Sequence, residues 1–139
     1  MRSFLPAALL MVATLPLSGV APKPPMPSPQ SVQTIEVTAK KYEFDPSPIR
    51  VKQGTRVQLK ITATDHAHGF RISEFPDGVD TKGKPGLIFS SAQDCRKIEE
   101  GKTEIVEFEA QTPGTYPFRC CVHCGWHHRG MKGELIVEP

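Results

Sequence analysis

Apolar residues recur at every second position through much of this chain, and no long stretch carries the 3.6-residue period of a helix. Ile35, Val37 and Ala39 alternate with polar neighbours, and Val57, Leu59 and Ile61 repeat the pattern. Ile49 and Val51 form a short pair after Pro46 and Pro48. Phe70 and Ile72 follow His68-Gly69, and Leu87 to Phe89 is a brief apolar run. Ile105, Val106 and Phe108 lead into the turn signal Thr112-Pro113-Gly114. Tyr116 to Cys120 follows, with Pro117 predicting an edge or irregular position, and Leu135 to Val137 closes the chain. Seven or eight short strands separated by turns predict an antiparallel β-sandwich. The stretch between Phe75 and Ile98 reads as a short helix or an irregular loop. No internal repeat is present.

The N-terminal stretch has a different pattern. Arg2 precedes an apolar run from Leu5 to Val20, and Gly19-Val20-Ala21 reads as a small-residue cleavage site. This predicts a secretory signal over residues 1–21. Pro6 and Pro16 interrupt the run, which falls short of the ~20 apolar residues of a spanning helix. The chain would meet a membrane only if this segment were retained as an anchor. Residues 22–31 then read as an extended tether, because residues 22–29 alone hold five of the fourteen prolines. The folded domain is expected over residues 32–139, one domain with one core.

Charge narrows the partner class. Removal of the leader takes away Arg2 and no acid, leaving 16 basic against 15 acidic residues, net +1. That balance excludes nucleic acid as the expected partner, which calls for a strong basic excess. Export to the periplasm or the outside places the four cysteines where disulfides persist.

Three of those cysteines fall within twelve residues: Cys120-Cys121-Val122-His123-Cys124-Gly125-Trp126-His127-His128-Arg129-Gly130-Met131. Three of the five histidines are there as well. Thiolate, imidazole and thioether are the donors that copper and zinc select. The loop begins at a predicted strand end and returns into the last strand, so a rigid scaffold would hold its ligands at fixed distances. Asp65-His66-Ala67-His68, also between predicted strands, is placed to bring a distant histidine to the same end.

These residues resemble the cupredoxin family, and within it the dinuclear copper A domains of haem-copper oxidase subunit II and nitrous oxide reductase. The ligand loop of those domains reads Cys-x3-Cys-Gly-x2-His-x2-Met. This chain has Cys120-x3-Cys124-Gly125-x2-His128-x2-Met131, and His68-Gly69-Phe70 matches the context of the upstream ligand. The lead-in Gly114-Thr115-Tyr116-x-Phe118-x-Cys120 is also cupredoxin-like. The resemblance implies an all-β, Greek-key sandwich of a single domain. It implies two copper ions bridged by Cys120 and Cys124, with His68 and His128 as terminal ligands. Met131 and the backbone carbonyl of Val122 would be weak ligands. The family often has Glu at the position of Val122, but only the carbonyl is needed for the metal. The implied role is one-electron transfer with a partner such as a c-type cytochrome or a terminal oxidase, without a small-molecule substrate and without enzymatic turnover.

Other readings stay open at this stage. The same thiolates suit a copper chaperone or store. Cys120-x2-His123 or Cys124-x2-His127-x3-Met131 can each be read as the loop of a mononuclear type 1 or red copper protein, with one ion. A structural zinc site is the plainest metal alternative, though zinc sites rarely recruit Met. Cys120 and Cys124 have a spacing that also permits a disulfide. Cys121 faces away from Cys120 wherever strand geometry persists, so a Cys95–Cys121 bridge is expected, with a free Cys95 as its alternative. His66 is left as an alternate or supporting group. His123 and His127 are expected to be exposed, and Trp126 is read either as exposed packing or as a contact beside an electron port.

Overall fold

The computed structural model describes residues 31–139, and the expected leader and nearly all of the tether lie outside the described residues. Ten strands form: β1 Val32–Lys40, β2 Glu43–Asp45, β3 Ile49–Lys52, β4 Arg56–Ala63, β5 His68–Ile72, β6 Leu87–Phe89, β7 Arg96–Ile98, β8 Thr103–Ala110, β9 Gly114–Arg119 and β10 Lys132–Glu138. Among the described residues the single helical element is a 3-10 turn, His128–Gly130. No helix appears between Phe75 and Ile98, where the chain runs through turns and the short strands β6 and β7. Strands β2 and β7 have three residues each, too few for a period of two to show in the sequence.

The strands make two five-stranded sheets, β2-β1-β4-β8-β6 and β3-β10-β9-β5-β7. The chain crosses between them from β2 onward, so that each half-buried strand lays its apolar side against the other sheet. This threading corrects one expectation. The sandwich is mixed rather than purely antiparallel: β1 lies parallel to β4, with Val37 beside Ile61, and β3 lies parallel to β10, with Ile49 beside Leu135. A parallel neighbour requires a crossover, and here the excursion through the opposite sheet supplies it in place of a helix.

Alternation becomes burial as the period predicts. In β4, Val57, Leu59, Ile61 and Ala63 are fully buried while Arg56 is exposed. Each such aliphatic side chain withdrawn from water contributes roughly 1.5–3 kcal/mol before entropy is counted. Pro117 is not at an edge. It sits in the interior strand β9, at the point where pairing with β5 ends after Ile72 opposite Phe118. Its carbonyl accepts from the N–H of Ser73 at 3.0 Å as β5 turns away, so its missing N–H leaves no gap in a continuing ladder.

One end of the sandwich has an aromatic floor. Phe70 and Phe118 pack with ring centroids 5.3 Å apart, and Phe44 meets both edge-on at 5.7 and 5.4 Å. Phe70 stands two residues after His68, and Phe118 two residues before Cys120. The residues with candidate chemistry therefore rise from a packed base.

Candidate metal centre

Strand β9 delivers Cys120 to this end, and β10 departs from it just after Met131. The Cys120 N–H donates to the Met131 carbonyl at 2.9 Å and closes the neck of the loop between them. Inside the loop Gly125 takes φ +127°, and a Cβ there would come within 2.8 Å of the Tyr42 hydroxyl, so only glycine suits the turn. The 3-10 turn follows, with the N–H of Met131 donating to the His128 carbonyl at 3.1 Å. These constraints aim three of the loop's residues inward. Cys120, Cys124 and Met131 are buried, whereas His123, Trp126 and His127 are exposed.

The buried sulfur atoms cluster. Cys120 Sγ lies 3.4 Å from Cys124 Sγ, and Cys124 Sγ lies 3.8 Å from Met131 Sδ. Both thiols are free. The Val122 carbonyl is 3.2 Å from Cys120 Sγ, and the Gly69 N–H donates to the same sulfur at 3.3 Å. Two overlapping groups of ligating atoms result, each within 4.8 Å: Cys120, Cys124 and His128, and His66, His68 and Cys124. Cys124 belongs to both.

The histidines are set for lone-pair donation. His68 is fully buried, and its Nε2 donates to Asp65 Oδ1 at 2.6 Å. A neutral imidazole protonated at Nε2 carries its lone pair on Nδ1. That Nδ1 is buried without a partner, and so is Nδ1 of His128. A buried ring nitrogen without a partner is costly, and two beside paired thiols point to an electrophile at this place. Asp65 is the common support. Burial alone would raise its carboxyl, but hydrogen bonds from the Lys41 N–H and from the His68 and His66 rings outweigh that and hold it well below the usual carboxylate range. Burial pushes the Cys124 thiol up from 9.0 to about 12, and the hydrogen bond with Cys120 adds to the shift. Without a cation Cys124 therefore keeps its proton, and a thiophilic cation would displace it.

Each residue singled out in the sequence is thereby located. Cys120, Cys124, Met131, the Val122 carbonyl and His128 share one loop interior. His68 reaches it from the start of β5, where the next residue, Gly69, donates its N–H to Cys120 Sγ. His66, an alternate or supporting group on the sequence reading, stands among the supports: Nε2 lies 2.7 Å from the Cys124 carbonyl, Nδ1 lies 3.0 Å from Asp65, and its ring stands 4.3 Å from that of His68. Asp65 was legible only as a neighbour of two histidines. Cys95 and Cys121 form a disulfide, with Cα atoms 5.7 Å apart, on the side of β5 away from the thiols. An added Cβ on Gly69 would lie 2.8 Å from Cys121 Sγ, so the absent side chain makes room for the bridge. The donor set of two thiols, two free imidazole nitrogens, a thioether and a carbonyl fits a soft or borderline transition metal and not a hard cation.

Comparison with known proteins agrees with this picture. The family model of the cupredoxin-like domain matches residues 7–137. Cytochrome c oxidase subunit 2 of Thermus thermophilus is 28% identical over 105 residues, covering 76% of this chain and 65% of that protein. The chain thus spans just under two thirds of that relative. The structure of the reduced auracyanin of Roseiflexus castenholzii superposes with a TM-score of 0.53 at 26% identity, covering 77% of this chain and 98% of that one. The periplasmic domain of cytochrome oxidase subunit II of Bradyrhizobium japonicum gives 0.54 at 16% identity over 76% of this chain and 83% of that one, a likeness of fold.

Proposed function

The chain belongs to the cupredoxin-like family, and on that premise we propose that it is an exported electron carrier whose loop from Cys120 to Met131, with His68, holds two copper ions in a copper A-like centre. The observation that carries the reading is the pair of free, buried thiols 3.4 Å apart, flanked by two unpartnered imidazole nitrogens. A mononuclear site uses one such thiol and leaves the other buried without a role. Copper bound there supplies a one-electron couple.

The protein's own groups do the rest. Cys120 and Cys124 would hold the copper as thiolates, their protons released to water, and the Gly69 N–H would remain as a donor to the Cys120 sulfur. Asp65 holds His68 with Nδ1 facing inward, which fixes the tautomer. The aromatic floor and the closed neck keep the donor atoms in place, and a site that moves little on gaining or losing an electron exchanges it quickly. Met131, fully buried, adds a thioether and excludes water. Trp126, 95% exposed, offers an aromatic surface at the loop through which a redox protein makes contact. The proposed partner is a c-type cytochrome or a terminal oxidase, in the periplasm or outside the cell, and the carrier turns over no substrate.

The test is copper content per protein read together with the electron paramagnetic resonance spectrum of the oxidised form. The expected result is two coppers and the hyperfine pattern of one electron shared over two equivalent nuclei. One copper with a single-nucleus pattern would overturn the dinuclear assignment. Colourless Cu(I) readily removed by a chelator would favour a copper chaperone or store.

A further inference from the structure

Three cations stand in a row across the second sheet. Arg71 on β5 is directly opposite Arg119 on β9, and Arg119 is directly opposite Lys132 on β10. All three are exposed, and among the described residues none has a carboxylate within 4.0 Å. Like charges facing one another on adjacent strands destabilise a sheet. The fold offers no internal counter-charge: Glu74 nearby and Glu134, two residues past Lys132, are both outside ion-pair reach.

The row borders a groove of about 610 Å³. Phe75 and Pro117 give it an apolar part, and Glu74 and Gln93 also line it. Gln93 belongs to the connection between β6 and β7, which the Cys95–Cys121 disulfide ties to the ligand loop. The wall of the groove and the metal loop are therefore fastened together. Arg119 immediately precedes Cys120, Lys132 immediately follows Met131, and the hydrogen bond between Cys120 and Met131 joins the two strands beneath.

We propose that the Arg71–Arg119–Lys132 row and its groove are the docking face for a carboxylate-rich surface of the electron-exchanging protein partner. This rests on the electron-carrier reading and adds a charged contact on the sheet face to the aromatic one at Trp126. Three strands at about 4.8 Å spacing spread the cations over roughly 10 Å, wider than one small anion spans and matched by several carboxylates on a protein face. The net charge of residues 22–139, +1, leaves little long-range attraction from the chain as a whole, so a local cation row matters more. A partner seated here touches the strands that lead into and out of the thiolate loop, so docking and the electron path share the same backbone.

The probe is hexaglutamate, added to the metal-free protein and followed by amide shifts in nuclear magnetic resonance at low and high salt. The expected shifts centre on Arg71, Arg119 and Lys132, vanish at high salt, and need about tenfold more peptide in the triple variant Arg71→Gln, Arg119→Gln, Lys132→Gln. Circular dichroism checks that the variant is folded. Shifts elsewhere, or equal binding by the variant, overturn the proposal whether or not copper is held. Inorganic phosphate that moves the same amides as strongly at equal ionic strength would reassign the groove to a small anion. With copper loaded, stopped-flow exchange with an acidic c-type cytochrome should slow about tenfold in the triple variant and lose most of its salt dependence. An unchanged rate there would separate this face from electron transfer.

Discussion

At Cys120 the chain turns a thiol into the sandwich, 3% exposed and 3.4 Å from Cys124, and one residue later Cys121 faces outward and is bonded to Cys95. The two pairs share a residue type, a compartment and nearly a position. They differ in side. Successive side chains at a strand end point to opposite faces, so the first thiol meets other soft donors and the second meets the long connection that covers the sheet. Gly69 lies at the boundary. Its N–H donates to Cys120 Sγ, and its missing side chain leaves space for Cys121. A cysteine's chemistry here follows from which face it occupies.

The strongest way to break the comparison is to remove the inward thiol. Cys120→Ser should abolish the dinuclear copper centre and its visible bands while leaving the fold in place, as read by copper assay and absorption. Retained bands would remove the bridging role. Loss of the outward pair should act on stability. The double variant Cys95→Ser, Cys121→Ser opens a loop of 26 residues and should cost roughly 3 kcal/mol in denaturant unfolding, with copper stoichiometry unchanged. If copper is lost in step with stability, the two pairs are not separable in this way.

Gly69→Ala probes the boundary itself. The new Cβ would lie 2.7 Å from the Val122 backbone nitrogen and 2.8 Å from Cys121 Sγ, and backbone cannot yield cheaply. We expect about 1–3 kcal/mol of destabilisation, part of which the Cys121→Ser background should relieve. Simple additivity of the two changes would mean that they do not touch.

Titration sharpens the contrast further, because a bridged pair carries no acidic proton. The Cys124 thiol is raised in the folded metal-free protein, so the folded state keeps its proton more tightly than the unfolded chain. That stabilisation is complete below the ordinary thiol value of 9.0 and is lost as pH rises toward about 12. Cys124→Ala should flatten this alkaline limb of the unfolding curve. Asp65 has the opposite sign: its lowered carboxyl contributes stability above the ordinary value of 3.8, lost as pH falls below it, and Asp65→Asn should remove that acid limb.

The smallest effect is expected at Met131. Leucine keeps the apolar volume and removes only the thioether, so Met131→Leu should cost under about 1.5 kcal/mol and retain copper. The reduction potential should shift, measured by voltammetry. Complete loss of copper would show that the thioether is a stronger ligand than its role here allows.

Much of this was legible along the chain. Alternation at 35–39, 57–61 and 105–108 named the long strands and most of the layer they bury, Ile105 excepted, because a period of two is a local property of extended backbone. The spacing from Cys120 to Met131 named the loop and its donors, since a short loop between two strand ends has few ways to place them. The three-residue strands β2 and β7 escaped notice because they are too short to show a period, and the parallel pairings escaped because threading between sheets leaves no mark on local pattern. Pro117 misled for a related reason: its missing N–H matters only where a neighbouring strand continues, and β5 turns away there.

By itself, then, the sequence determined the class of fold and the kinds of atom available to a metal, both of which follow from periodicity and from residue identity over a dozen positions. The tertiary structure alone decided the rest. It carried His68 across 56 positions to Cys124, gave Asp65 and His66 their supporting places, joined Cys95 to Cys121, and lined up Arg71, Arg119 and Lys132 on three strands. Each of these is a meeting of residues distant in sequence, and strand register, which only packing of the two sheets selects, determines who meets whom.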